Sequence, residues 1–113
     1  MALQIFLREK RDVTILDLAG DLLAPECSAL PTQVKDLLAA GKKRIAINLK
    51  HVGRADSLGL GSLAASFVSA QRQEAEVKVF SPNAFVGEAL QATRLDHVID
   101  VCSREKDALA SFD

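Results

Sequence analysis

Six consecutive residues, Asp56-Ser57-Leu58-Gly59-Leu60-Gly61, set a carboxylate, a hydroxyl and two glycines between an apolar run and an amphipathic one. Asp and Ser ahead of an apolar-periodic run are ordinary helix caps. Either side chain can accept a hydrogen bond from an unpaired N–H of the first turn. Capping does not account for the glycines, each of which costs ~1 kcal/mol relative to alanine inside a helix. Something therefore approaches the backbone closely there, either a neighbouring element or a partner. A helix N-terminus also offers free N–H groups and the positive end of the helix dipole, which favour an anion. A serine on such a loop is well placed to accept phosphate, adding a charge of about −1.5 to −2 beside Asp56. Like-charge repulsion would then make the loop hostile to a partner that had accepted the neutral serine.

The other chemistry-bearing residues form no recognisable set. His51 and His97 are the two histidines, and Cys27 and Cys102 the two cysteines. They show no C-x-x-C and no paired histidine spacing, so no metal site is expected. Both cysteines sit beside apolar residues and read as small buried side chains. There is no Gly-x-Ser-x-Gly elbow and no phosphate-binding Gly-x-x-x-x-Gly-Lys-Ser/Thr loop. No two carboxylates are marked as an acid/base pair. The expectation is a protein without catalytic residues or cofactor.

The 113 residues suit one domain spanning 1–113, and 49% hydrophobic with 26% charged residues suits a globular one. Fourteen basic against fifteen acidic residues leave a net charge of −1, which argues against a nucleic-acid partner. The densest basic run, Lys42-Lys43-Arg44, reads as a solvated helix-to-strand loop. No apolar run approaches the ~20 residues of a membrane span. The N-terminus lacks the basic start and long apolar stretch of a secretion signal. A cytoplasmic location is the simplest expectation.

The elements that must position the motif follow from periodicity. Leu3–Leu7 and Val13–Ala19 read as strands. The short link Glu9-Lys10-Arg11-Asp12 favours a hairpin, because a parallel pair needs a longer crossover. Gly20-Asp21 ends the second strand. Cys27, Leu30, Val34, Leu37 and Leu38 share a helical face, with regular helix from about Leu30 and Gly41 as terminator. Ile45–Leu49 is a buried strand. Leu60, Leu63, Ala64, Phe67 and Val68 mark the next helix, with Ser66 and Ser69 on its polar face. Val77–Phe80 is a strand. Ser81-Pro82 predicts a helix entry, serine as N-cap and proline at the first helical position. Phe85, Val86, Ala89 and Leu90 form that helix's apolar stripe. Val98–Val101 is a last strand, and Ser103 caps a final helix carrying Ala108, Leu109 and Phe112. The order β-β-α-β-α-β-α-β-α predicts an α/β fold with a mixed, mostly parallel sheet packed with helices.

The stretch from Ile45 to Leu63, with Asp56-Ser57-Leu58-Gly59-Leu60-Gly61 at its centre, resembles the signature of STAS domains, and in particular the bacterial anti-sigma factor antagonists. Gly20-Asp21-Leu22, Phe80-Ser81-Pro82 and the terminal Ser103 with Ala108-Leu109 extend the resemblance over nearly the whole chain. The resemblance implies a switch. Ser57 would be phosphorylated by an anti-sigma factor that is itself a Ser/Thr kinase. The unphosphorylated chain would hold that kinase and free a sigma factor, and a metal-dependent Ser phosphatase would reset the phosphorylated form. Asp21, Arg54, Asp56, Leu58, Gly59, Leu60 and Gly61 would form the partner surface.

Three positions depart from the family pattern. Leu58 stands where Ser or Thr is usual, Asn48 where the strand usually ends in Asp, and Arg54 where an aromatic or apolar residue is common. Arg54 reads first as a solvated loop arginine; it could also pair with Asp56, or with a phosphate as a charge-assisted fork. Leu58 and Arg54 keep a second role open. The family includes an unphosphorylated STAS subunit that docks on the ATPase of a phospholipid-transport ABC complex. Oligomeric state is not legible in the sequence.

Overall fold

The computed structural model describes residues 2–112. The strands are β1 (Gln4–Lys10), β2 (Val13–Leu22), β3 (Arg44–Ala55), β4 (Glu76–Phe80) and β5 (Asp100–Cys102). The helices are α1 (Ala29–Ala39), α2 (Ser57–Arg72), α3 (Ala84–Ala92) and α4 (Glu105–Ser111), with single 3-10 turns at Glu26–Ser28 and Leu95–His97. The sheet order is β1-β2-β3-β4-β5. β1 and β2 form the expected antiparallel hairpin, and each later pair is parallel. The hairpin turns on Arg11 and Asp12, both at positive φ, the backbone a two-residue type I′ loop requires.

A parallel sheet that grows in one direction through right-handed crossovers places its connecting helices on one face. Leu30, Val34 and Leu38 of α1, Leu60, Leu63 and Ala70 of α2, and Val86 and Leu90 of α3 accordingly share one core with Leu16, Leu18, Ile45, Ile47, Leu49, Val77 and Val79. The opposite face is smaller: Val13, Ile15, Ala46 and Phe80 meet Ala108 and Leu109 of α4. Alternation along β2, β3 and β4 sends successive side chains to the two cores.

Several boundaries differ from the sequence expectation. β2 runs through Gly20-Asp21 to Leu22. Gly20, at φ +110, lies in a stretch where the register against β3 shifts, so the glycine serves an irregularity and not a strand end. β3 continues from Leu49 to Ala55 because it keeps pairing with β2 as far as Leu22↔Ala55, although Val52 is the one fully buried residue beyond Leu49. Ser81 has φ +57 and cannot cap a helix. Asn83 takes that role, its side chain accepting from the Val86 N–H at 2.7 Å. Arg104, not Ser103, precedes α4, with no side-chain cap bond. The last strand is Asp100–Cys102, because Leu95–His97 coils into a 3-10 turn. Cys27 is buried as expected, its thiol pushed up by burial, but Cys102 is only partly covered. Ser66 is fully buried and donates to the Ser62 carbonyl at 2.8 Å, so it lies inside and not on a polar face. Lys42 and Lys43 lie in the α1–β3 loop, and Arg44 opens β3.

Candidate functional site at the start of α2

The ends of β2 and β3 deliver the motif to one pole of the sheet. Asp56 leaves β3 with extended backbone (φ −91, ψ −178) and caps α2. Its carboxylate accepts from the Gly59 N–H at 2.7 Å and from the Ala24 N–H at 3.1 Å. These backbone donors, Gly59 first and Ala24 next, hold its pKa below the ordinary carboxylate range. Asp56 therefore ties three segments together: the end of β3, the start of α2 and the loop after β2. Its own N–H donates to the Leu22 carbonyl at 3.3 Å.

The two glycines separate in role. A Cβ on Gly59 would stand 1.9 Å from the Leu22 carbonyl oxygen. Gly59 is thus required by the close approach of α2 to β2. A Cβ on Gly61 would meet nothing within 4 Å. The isolated fold supplies no reason for that glycine.

Ser57 is the first helical residue and is exposed, as are Leu58 and Gly61. Leu60 is 8% exposed and belongs to the core, and Gly59 is buried. Of the expected partner surface, those two face inward because their helical phase points at Leu22 and the sheet. The outward phase continues along α2. Ser57, Leu58, Gly61, Ala65, Val68 and Arg72 are all exposed and fall within an arc of about 100° at the helical repeat. Val68, expected in the buried stripe, is 41% exposed for this reason. Between Ser57 and Arg72 the face is made of small and apolar side chains, with Leu58 63% exposed.

Arg54 pairs with Asp21 across β2 and β3, Nε to Oδ2 at 3.4 Å, and not with Asp56. Asp56 already has its oxygens on backbone donors. Asp21 also lies 3.2 Å from the position a Cβ would take on Gly53. Asn83 adds a neighbour that sequence reasoning missed. Its Nδ2 donates to the Val52 and Gly53 carbonyls at 3.2 and 3.1 Å. That bond fixes the first turn of α3 against β3 just before Arg54. Phe85, placed in the buried stripe by periodicity, is 66% exposed on that turn. The available signal for Asn83 was its own residue type, an N-cap former three residues ahead of Val86.

Asn48 and Asp17 form a second polar cluster, on the α4 side of the sheet. Asn48 Nδ2 donates to Asp17 Oδ1 at 2.8 Å, and Asn48 Oδ1 accepts from the Lys50 N–H at 3.0 Å. Arg8 Nε donates to Asp17 Oδ2 at 2.6 Å and the same guanidinium binds Glu105 of α4. Arg8 holds both carboxyls below their usual range, and its own pKa is raised in turn. His51 and His97 are exposed. Among the described residues no group of three His, Cys, Asp or Glu could hold a metal ion, and no helix is long and apolar enough to cross a membrane.

Comparison with known proteins agrees with this architecture. An anti-sigma factor antagonist from Mycobacterium paratuberculosis superposes with a TM-score of 0.87 at 19% identity, over 97% of this chain and 93% of that one. A Thermotoga maritima protein described as a candidate antagonist of the same kind gives 0.87 at 24% identity, over 94% and 92%. The phosphorylated form of the Bacillus cell fate determinant SpoIIAA gives 0.71 at 16% identity, over 96% and 97%. At these identities the likeness is one of fold. The family model described as "Mlab, STAS domain" matches residues 5–101. The chain belongs to the STAS domain family.

Proposed function

We propose that this chain is a phosphorylation-controlled protein-binding switch, an anti-sigma factor antagonist in mechanism. The observation that carries the reading is the exposed hydroxyl of Ser57 at the head of an outward face of α2 made of Leu58, Gly61, Ala65 and Val68. A partner can lie flat on small side chains, and close approach at Gly61 needs the missing Cβ. The partner is an anti-sigma factor with Ser/Thr kinase activity, held by the unphosphorylated chain so that a sigma factor is freed. Asp21, Arg54 and Phe85 lie at the same pole and form the polar and aromatic rim. Phosphate on Ser57 would put about −1.5 to −2 charge beside Asp56 and under the partner. A buried unpaired charge costs several kcal/mol, and ~2.8 kcal/mol is already a hundredfold in affinity. A Ser phosphatase then resets the chain. The fold shared with SpoIIAA, a protein solved in a phosphorylated form, supports the reading.

The test is intact mass after incubation with candidate anti-sigma kinases and ATP. Wild type should gain one phosphate and Ser57→Ala none. A phosphate retained in Ser57→Ala would refute the assignment of the acceptor.

A second reading is favoured by one observation. Leu58 and Val68 are apolar and exposed on the same face, which suits permanent docking on an ATPase subunit of a phospholipid-transport complex. It predicts a stable complex with no phosphate at any stage.

A further inference from the structure

We propose that β1 is a self-association strand: two copies of this chain pair their β1 edges antiparallel about Phe6, joining two five-stranded sheets into one. This inference does not depend on the phosphorylation reading.

Among the described residues β1 is an edge strand, paired only on its β2 side. The two-residue turn makes Lys10 and Val13 a hydrogen-bonded pair, so Lys10, Arg8, Phe6 and Gln4 spend their backbone groups on β2. The N–H and C=O of Ile5, Leu7 and Glu9 therefore point outward from the sheet. An open row of this kind is a template for another strand.

Charged side chains usually protect such an edge. Here they are confined to its second half and are drawn back onto the chain's own surface. Arg8 is held by Asp17 and Glu105, Lys10 lies 3.6 Å from Glu105, and Glu9 pairs with Lys42 at 3.0 Å. The first half is apolar and open: Phe6 is 54% and Leu7 50% exposed. Nothing in Ile5-Phe6-Leu7 opposes addition of a strand.

The chemistry of the edge selects a second copy as the occupant. With the twofold axis at Phe6, Ile5 of each copy stands opposite Leu7 of the other, and each such pair joins two outward-facing backbones. Phe6 then meets Phe6 in the non-hydrogen-bonded position, where side chains come closest. Every exposed apolar side chain of β1 gains an apolar partner in this one register. Ile5 and Leu7 point to the helix face, since they pair with Leu18 and Leu16 of that core. On that face a groove of about 640 Å³ opens beside β1, lined by Leu3, Ile5, Ala29, Thr32 and Gln33 among others. Leu7 of the second copy, placed across from Ile5, packs against the Leu3–Ile5 end of it.

The test is sedimentation equilibrium of the intact chain across a wide concentration range, with Phe6→Lys and a cysteine series. The proposal expects a concentration-dependent dimer, weakened at least ~10-fold by Phe6→Lys, which sets like charges directly opposite. Phe6 is mostly exposed, so an unchanged circular dichroism spectrum with a cooperative melt will show that the variant folds, the loss of the dimer itself lowering the melting temperature. In a Cys102→Ser background, Phe6→Cys should form an intermolecular disulfide under mild oxidation. Opposed residues in that position have Cα atoms ~4.5 Å apart, within the ~4.4–6.8 Å that a disulfide spans. Glu9→Cys should not crosslink. A monomer at every concentration, a dimer indifferent to Phe6→Lys, or crosslinking at position 9 in preference to 6 would each overturn the proposal.

Discussion

The carbonyl oxygen of Leu22 occupies the space that a side chain on Gly59 would need: a Cβ there would lie 1.9 Å from it. Because the obstacle is backbone, neither partner can turn aside. Gly59→Ala should destabilise the fold by about 3 kcal/mol, the upper part of the range for overpacking. Gly61→Ala should do the reverse and stabilise by roughly 0.5–1 kcal/mol, since the space is open and alanine favours helix. Thermal unfolding of the two variants checks both signs. If a partner lies on α2, Gly61→Ala will also weaken binding while raising stability, a combination that a purely structural glycine cannot produce.

Asp56→Asn separates the two tasks of that carboxylate. An amide oxygen can still accept from Gly59, but the NH2 group then faces the Ala24 N–H, donor against donor. Hydrogen exchange at the Ala24 amide should accelerate by at least ~10-fold, with Gly59 still protected. Equal protection of both amides in the variant would contradict the tie between Asp56 and the loop after β2.

Asn48→Asp should be harmful. It would set a second acid 2.8 Å from Asp17 in place of a donor, costing about 1–3 kcal/mol at neutral pH. The loss should shrink as pH falls and one of the two acids takes a proton. Denaturant midpoints at pH 7 and in acid measure it.

The wild-type pH response has the opposite sign. Arg8 lowers the folded pKa of Asp17 and Glu105. Their contribution is present above the ordinary carboxylate range and is lost as pH falls through the lowered folded values. Arg8→Met should flatten the acid limb of stability and cost about 1 kcal/mol at pH 7, a modest figure because Arg8 is two-fifths exposed. An unchanged acid limb would contradict the assignment.

The order of elements was legible because apolar runs and Gly and Pro punctuation carry it. The motif's placement after a buried strand was legible for the same reason. Four things were not. Ser81 looked like a cap, but its positive φ is set by pairing with Cys102 across the sheet, which no local pattern records. Val68 and Phe85 looked buried because apolar periodicity does not say which face a sheet covers. The different fates of Gly59 and Gly61 depend on how closely β2 passes α2, a tertiary distance. Arg54 reads as a solvated loop residue or a partner of Asp56, whereas the parallel pairing of β2 with β3 brings it, still exposed, to Asp21.

The central claim is that charge on Ser57 ejects a partner from α2. Its most direct test is the affinity of one identified kinase partner for the chain with Ser57 unmodified and with phosphoserine installed at 57. The account predicts a loss of about a hundredfold or more, equivalent to ~2.8 kcal/mol, with the fold unchanged by circular dichroism. Equal affinity of the two forms would contradict it and leave permanent docking as the reading of this surface.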